Sequence, residues 1–117
     1  MRLAIVGSRH FTDYLKIMAT ANFFFDLTTN IEIVSGGASG VDSLAKQLAK
    51  DLKLKYTEFL PKQGKTFAQK CYNRNREIVD YADIILAFWD GRISHCGTLL
   101  TMQLAIQKKK TMYAIGV

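Results

Sequence analysis

Gly36, Gly37 and Gly40 lie within one short stretch, Ser35-Gly36-Gly37-Ala38-Ser39-Gly40-Val41-Asp42. Residues this small leave backbone N–H groups open to close approach by a bulky anion. The stretch follows an apolar run, Ile31-Glu32-Ile33-Val34, and precedes an amphipathic pattern. Val41, Leu44, Ala45, Leu48, Ala49 and Leu52 share one helical face, while Lys46, Gln47, Lys50, Asp51 and Lys53 share the other. The glycines therefore sit between a strand and a helix N-terminus, where unpaired amides and the positive end of the helix dipole converge. A tight turn with an N-cap would need one glycine. Three, flanked by serines, exceed that need, so anion or phosphate binding is the preferred reading.

Other chemistry-bearing residues point elsewhere or nowhere. Gly64-Lys65-Thr66 resembles the end of a phosphate-wrapping ATPase loop, but the earlier glycine would fall at Phe59 and Pro61 spoils the wrap. ATPase chemistry of that type is rejected. His10 and His95 are candidate general bases without evident partners. Cys71 and Cys96 have no metal-ligand or CxxC spacing, so no metal is expected, and two cysteines make no disulfide framework. A reducing cytoplasm fits that usage.

The elements that must position the glycines alternate along the chain. Leu3-Ala4-Ile5-Val6 reads as a strand covered on both faces, followed by Gly7-Ser8-Arg9-His10 and a helix capped by Thr12 or Asp13. That helix is apolar on more than one side: Leu15, Ile17, Met18, Ala19 and Ala21 lead into Phe23-Phe24-Phe25. The surplus predicts a homodimer contact there, against the alternative of a helix sunk deeply in a small core. Lys55 to Leu60 alternates like an edge strand ended by Pro61. A third helix runs from about Phe67 to Ala82, with Ala68, Cys71, Tyr72, Ile78, Val79 and Ala82 as its stripe. Asn75 shares that stripe and must find partners, by bracing a loop from beneath or by reaching a ligand. Arg74 and Arg76 flank it and are expected to reach forward to an anion. Asp83 to Trp89 is the strongest strand, and Asp90 to Thr98 is a second glycine-bearing loop. A helix with Leu99, Met102, Ala105 and Ile106 inside and a strand from Thr111 to Ile115 complete the series. The strand–helix alternation predicts an α/β fold, a parallel sheet of about five strands with helices on both faces. In the doubly wound order 3-2-1-4-5, loops 7–10, 35–42 and 89–98 meet at the carboxyl ends of adjacent strands.

The 117 residues suffice for one domain, 1–117, and 49% of them are apolar. Charges interrupt every apolar stretch, so no membrane span is expected, and Met1 to Val6 lack a signal-peptide layout. The net charge of +6 invites a nucleic-acid reading. Yet the lysines are scattered, and the run Lys108-Lys109-Lys110 sits where cations complement a helix dipole. Anionic ligands in general are favoured over DNA in particular.

Taken together, Gly7-Ser8-Arg9, Ser35 to Asp42, Arg74-Asn75, Ala82-Asp83, Ala87-Phe88-Trp89-Asp90-Gly91 and Ser94 to Gly97-Thr98 resemble the SLOG superfamily. The likeness is to its YspA/YpsA-related branch, alongside DprA, the DNA-processing protein, and the Lonely Guy phosphoribohydrolases. It covers nearly the whole chain. The resemblance implies a Rossmann-like fold that binds a nucleotide or a nucleotide-derived, ADP-ribose-like signal, with no required cofactor. The ligand set it implies is Gly7, Ser8, Arg9, Ser35, Gly36, Gly37, Ala38, Ser39, Gly40, Asp42, Arg74, Asn75, Trp89, Asp90, Ser94, Gly97 and Thr98. Within it the glycines cradle phosphate, and Ser35 and Ser39 add hydroxyl contacts. Arg9 forks onto phosphate, Asp42 braces the loop, and Trp89 offers a face to a base or ribose. Thr98 caps its helix or donates to an anion. The hydrolases' glycine-glycine-x-glycine-threonine-x-x-glutamate pattern is broken here, with Cys96 at the second glycine and Thr101 at the carboxylate. Glycoside cleavage needs a carboxylate near the anomeric carbon, so binding without turnover is expected. The alternatives are a nucleoside monophosphate phosphoribohydrolase, with Asp42 or Asp90 substituting, and DprA-like single-stranded DNA binding.

Overall fold

The computed structural model describes residues 1–25, 30–93 and 97–117. Its elements are β1 (Arg2–Gly7), α1 (Tyr14–Asn22), β2 (Glu32–Ser35), α2 (Val41–Asp51), β3 (Lys55–Glu58), α3 (Phe67–Tyr81), β4 (Ile84–Trp89), α4 (Thr98–Gln107) and β5 (Thr111–Gly116). These strands form one parallel sheet in the order β3-β2-β1-β4-β5. The architecture is the expected α/β, Rossmann-like one.

The unbroken apolar runs of β1 and β4 follow from covering on both faces. Leu3, Ile5, Leu86 and Phe88 pack with Ile17, Ala21, Val41, Ala45 and Leu48 of α1 and α2. Their neighbours Ala4, Val6, Ile85 and Ala87 pack with Ile78 and Val79 of α3 and with Met102, Leu104 and Ala105 of α4. Helices on the two sides thus diverge at the β1–β4 pair, which opens a gap there at the strands' carboxyl ends.

The opposite, amino end of the sheet is tied by polar contacts. Glu32 accepts hydrogen bonds from Thr57 Oγ1 at 2.6 Å and Tyr81 Oη at 2.5 Å, and pairs with Lys55 at 3.4 Å. The Arg2 guanidinium lies 3.9 Å from the centre of the Tyr81 ring.

Asp13 caps α1, accepting from the Lys16 amide at 3.1 Å. The surplus apolar residues of this segment divide. Phe24 and Phe25 pack onto the core, and Phe24 meets Tyr113 at 5.3 Å between ring centres, whereas Leu15 and Phe23 stay exposed. Cys71 is buried in α3 and is not a free thiol, so it lends no support to the reducing compartment expected from the cysteines; Cys96 lies outside the described residues. Among the described residues no helix is long and apolar enough to cross a membrane.

Candidate functional site

Three loops meet where β1 and β4 end. The Ser8 amide donates to Phe88 O at 2.9 Å, extending the β1–β4 ladder by one residue. The Ser8 carbonyl then accepts from the Val41 amide at 3.0 Å, at the start of α2. Its hydroxyl donates to Asp90 Oδ2 at 2.8 Å and accepts from the His10 amide at 3.2 Å. Ser8 therefore links loops 7–10, 35–42 and the loop after β4. The contact with α2 is close because Gly40, the N-cap of α2, adopts φ +72°. Contrary to expectation, the first amide of α2 is already satisfied by protein, so the helix N-terminus is less bare than its sequence implies.

Beneath the glycine turn lies a buried polar layer. Arg74, expected to reach forward to an anion, lines the space in front of the turn and also braces the turn from beneath. Its Nε donates to Asn75 Oδ1 at 2.6 Å and its Nη1 to Gly36 O at 2.7 Å, with 6% of the residue exposed. Asp42 Oδ2 accepts from the Ala38 amide at 3.3 Å. Burial pushes the Asp42 carboxyl up, against the pull of the Ala38 amide and Arg74. Burial pushes the Arg74 guanidinium down; Asp42 opposes this and the nearby Arg9 adds to it. Ser35, expected to touch phosphate, is fully buried and donates to Ile5 O at 2.7 Å, a strand-to-strand contact. Asn75 is 3% exposed, and its Nδ2 has no hydrogen-bond partner. A buried amide left without an acceptor costs roughly 1–3 kcal/mol, so its position matters.

That position is the wall of a cavity of about 480 Å³. From the sequence-derived set the cavity gathers Gly7, Ser8, Arg9, Ala38, Asp42, Arg74, Asn75, Trp89, Asp90, Gly97 and Thr98. Beside it a smaller hollow of about 210 Å³ takes in Gly36, Gly37 and Ser39 with Leu60 and Pro61. Ser35 and Gly40 border neither space, and Arg76 faces outward. Ser94, with His95 and Cys96, lies outside the described residues. Two wall residues carry no signal in the sequence. Phe67 has the pattern of an ordinary helix start, and Arg92 that of a loop cation. Arg92 receives the Trp89 indole hydrogen bond on its carbonyl at 2.9 Å and pairs with Asp90 at 3.6 Å. The Arg92 amide and the Ser8 hydroxyl hold the Asp90 carboxyl below its usual range. Gly97 is the N-cap of α4, and Thr98 is its first residue, making no side-chain cap. Thr101, at the hydrolases' carboxylate position, is buried in the cavity wall.

Electrostatically the site presents an exposed Arg9 whose guanidinium makes no hydrogen bond or ion pair among the described residues. It faces an inner layer where Arg74 and Asp42 offset one another. Such a cation in a cavity walled by loop backbone, polar groups and the rings of Phe67 and Trp89 suits an anionic organic ligand. No group of three or more His, Cys, Asp or Glu placed to hold a metal ion occurs among the described residues.

A family model described as DNA recombination-mediator protein A matches residues 1–65. The match spans β1 to β3 and includes loops 7–10 and 35–42, while the β4–α4 wall of the cavity lies beyond it. No curated protein matches the chain.

Proposed function

The chain belongs to the DNA recombination-mediator protein A family, and from that premise we propose that its crevice binds a nucleotide or nucleotide-derived ligand without turnover, as a sensor or sequestering module. The observation that carries this reading is Asn75 Nδ2. This donor is buried and unpaired on a residue of the cavity wall, and a ring nitrogen or carbonyl of a base pressed against that wall would satisfy it. Arg9 supplies a bidentate partner for phosphate at the rim, and Trp89 a ring against which sugar or base can rest. Thr101 has no acid–base role at neutral pH. Asp90, held ionised by its neighbours, is a poor proton donor. These two features support binding over glycoside cleavage. A ligand of this kind places the work of the chain in the cytoplasm.

Calorimetric titration with AMP and GMP tests the reading. Arg9→Ala should weaken binding by about tenfold or more, the loss expected of a charge-assisted phosphate contact. Asn75→Asp keeps the acceptor for Arg74 but removes the unpaired donor, and should also weaken binding. Absence of any heat or thermal shift with either nucleotide sinks the proposal, and release of ribose 5-phosphate overturns the claim of no turnover. The second reading, single-stranded DNA binding, is favoured by the family match and the net charge of +6.

A further inference from the structure

The crevice and the adjoining hollow share Arg9, Ala38, Phe67 and Arg74. Ala38 offers only a methyl group, and Arg74, 6% exposed, commits its Nε and Nη1 to Asn75 and Gly36. Arg9 and Phe67 are therefore the exposed side chains that reach both sides of the divide. Phe67 is 64% exposed although it is the first residue of α3. Its backbone is fixed, since Thr66 caps the helix by accepting from the Gln69 amide at 3.1 Å. An exposed ring on a fixed helix start is a ready stacking surface, and base–aromatic stacking tolerates any base. The hollow beyond it combines the backbone of Gly36 to Ser39 on one side with Leu60 and Pro61 on the other. Its about 210 Å³ falls below the size typical of a whole ligand site, about 300–1,000 Å³, whereas the crevice lies within that range. The hollow thus suits a part of a ligand whose remainder lies in the crevice.

We propose that the site takes two phosphate-linked nucleotide units, a step that rests on the nucleotide reading above. One unit occupies the crevice and the second the hollow. The linking phosphate sits on Arg9, and the second base lies against Phe67. A single phosphate between two nucleosides is the group that an arginine on the shared wall would hold, leaving one nucleoside on either side.

Calorimetric titrations with AMP, with the 5′-phosphorylated dinucleotide pApA and with longer oligoadenylates test this on the wild-type chain and on Phe67→Leu and Phe67→Tyr. The expected result is pApA binding about tenfold more tightly than AMP. Affinity per binding register should then stay level for longer strands. Phe67→Leu should erase most of the dinucleotide advantage, and Phe67→Tyr should retain it. If AMP binds and pApA binds no better, the two-unit site is wrong while the nucleotide reading stands. The two-unit site is equally wrong if Phe67→Leu keeps the full advantage. A steady rise in affinity with strand length, beyond the gain in registers, replaces the two-unit site with a continuous nucleic-acid track. If neither AMP nor pApA binds, the nucleotide reading has failed and this inference with it.

Discussion

A β-carbon on Gly40 would lie 2.2 Å from the Ser8 carbonyl oxygen and 2.4 Å from the Arg9 carbonyl carbon. With φ at +72°, any side chain there is strained as well as crowded. Gly91 has φ +86° but nothing within 4 Å of its virtual β-carbon. Gly91→Ala should therefore cost about 1–2 kcal/mol, the strain alone. Gly40→Ala should cost more than about 3 kcal/mol, because the loops after β1 and β2 must separate. Urea unfolding of the two variants measures both. Equal losses would mean that the two loops are not clamped together. Position 40 is legible in the sequence as a glycine with a purpose, and the purpose the structure shows is close packing of two loops. The roles of Ser35 and Arg74 are less legible. Residue type tells that a hydroxyl or guanidinium can donate, but which way it points is decided by its neighbours. Ser35 ends β2 beside the Ile5 carbonyl, and Arg74 lies under the Gly36 carbonyl, so each meets a protein acceptor before any ligand.

At the scale of elements, periodicity locates all nine of the described ones, because most bury a stripe of their own and stripes are local, while β3 and β5, at the sheet edges, bury no residue fully and show as short runs between turn signals. Strand order is not local. The apolar runs would pair in many orders, and crossover handedness with helix packing selects one. For α3 the stripe also conceals a division of labour. Its inner side faces the sheet through Ile78 and Val79 and the glycine turn through Arg74, so polar residues occupy one end of a buried face. The far end of the same helix yields a test of pH dependence. Burial alone would raise the Glu32 carboxyl, but hydrogen bonds from Thr57 and Tyr81 and the charge of Lys55 outweigh it and hold the group below its ordinary value of 4.5. A depressed carboxylate contributes stability that is present above its unfolded value and lost as pH falls through the folded one. Glu32→Gln should therefore cost on the order of 1 kcal/mol at neutral pH. The gap to wild type should close below about pH 4. Urea midpoints at neutral and acid pH read this directly, and a gap independent of pH would remove ionisation from the account.

Across the whole molecule, the run of three lysines and the crevice do not coincide. Lys108 pairs with Asp80, and Lys110 Nζ donates to Ala82 O at 2.8 Å, so this run sits at the amino end of the sheet. The crevice opens at the carboxyl end. β4 has six residues, which at about 3.3 Å each separate the two ends by roughly 20 Å. That is about two and a half times the Debye length at physiological salt, so the lysine run hardly contributes at the site. A ligand held through one phosphate on Arg9 should show a shallow salt dependence, a log–log slope of about −0.7 to −1. The slope should shrink further in Arg9→Ala and be unchanged in Lys109→Gln, whose side chain lies on the remote pole. Single-stranded DNA tracking over the basic surface would give a different pattern. Each phosphate neutralised adds about −0.7 to the slope, so a strand of several contacts becomes steep and Lys109→Gln lowers it. Titrations of pApA and of a longer oligonucleotide across a series of salt concentrations separate the two. A steep slope sensitive to Lys109 would move the functional surface away from the crevice, whereas a shallow one governed by Arg9 keeps it where β1 and β4 part.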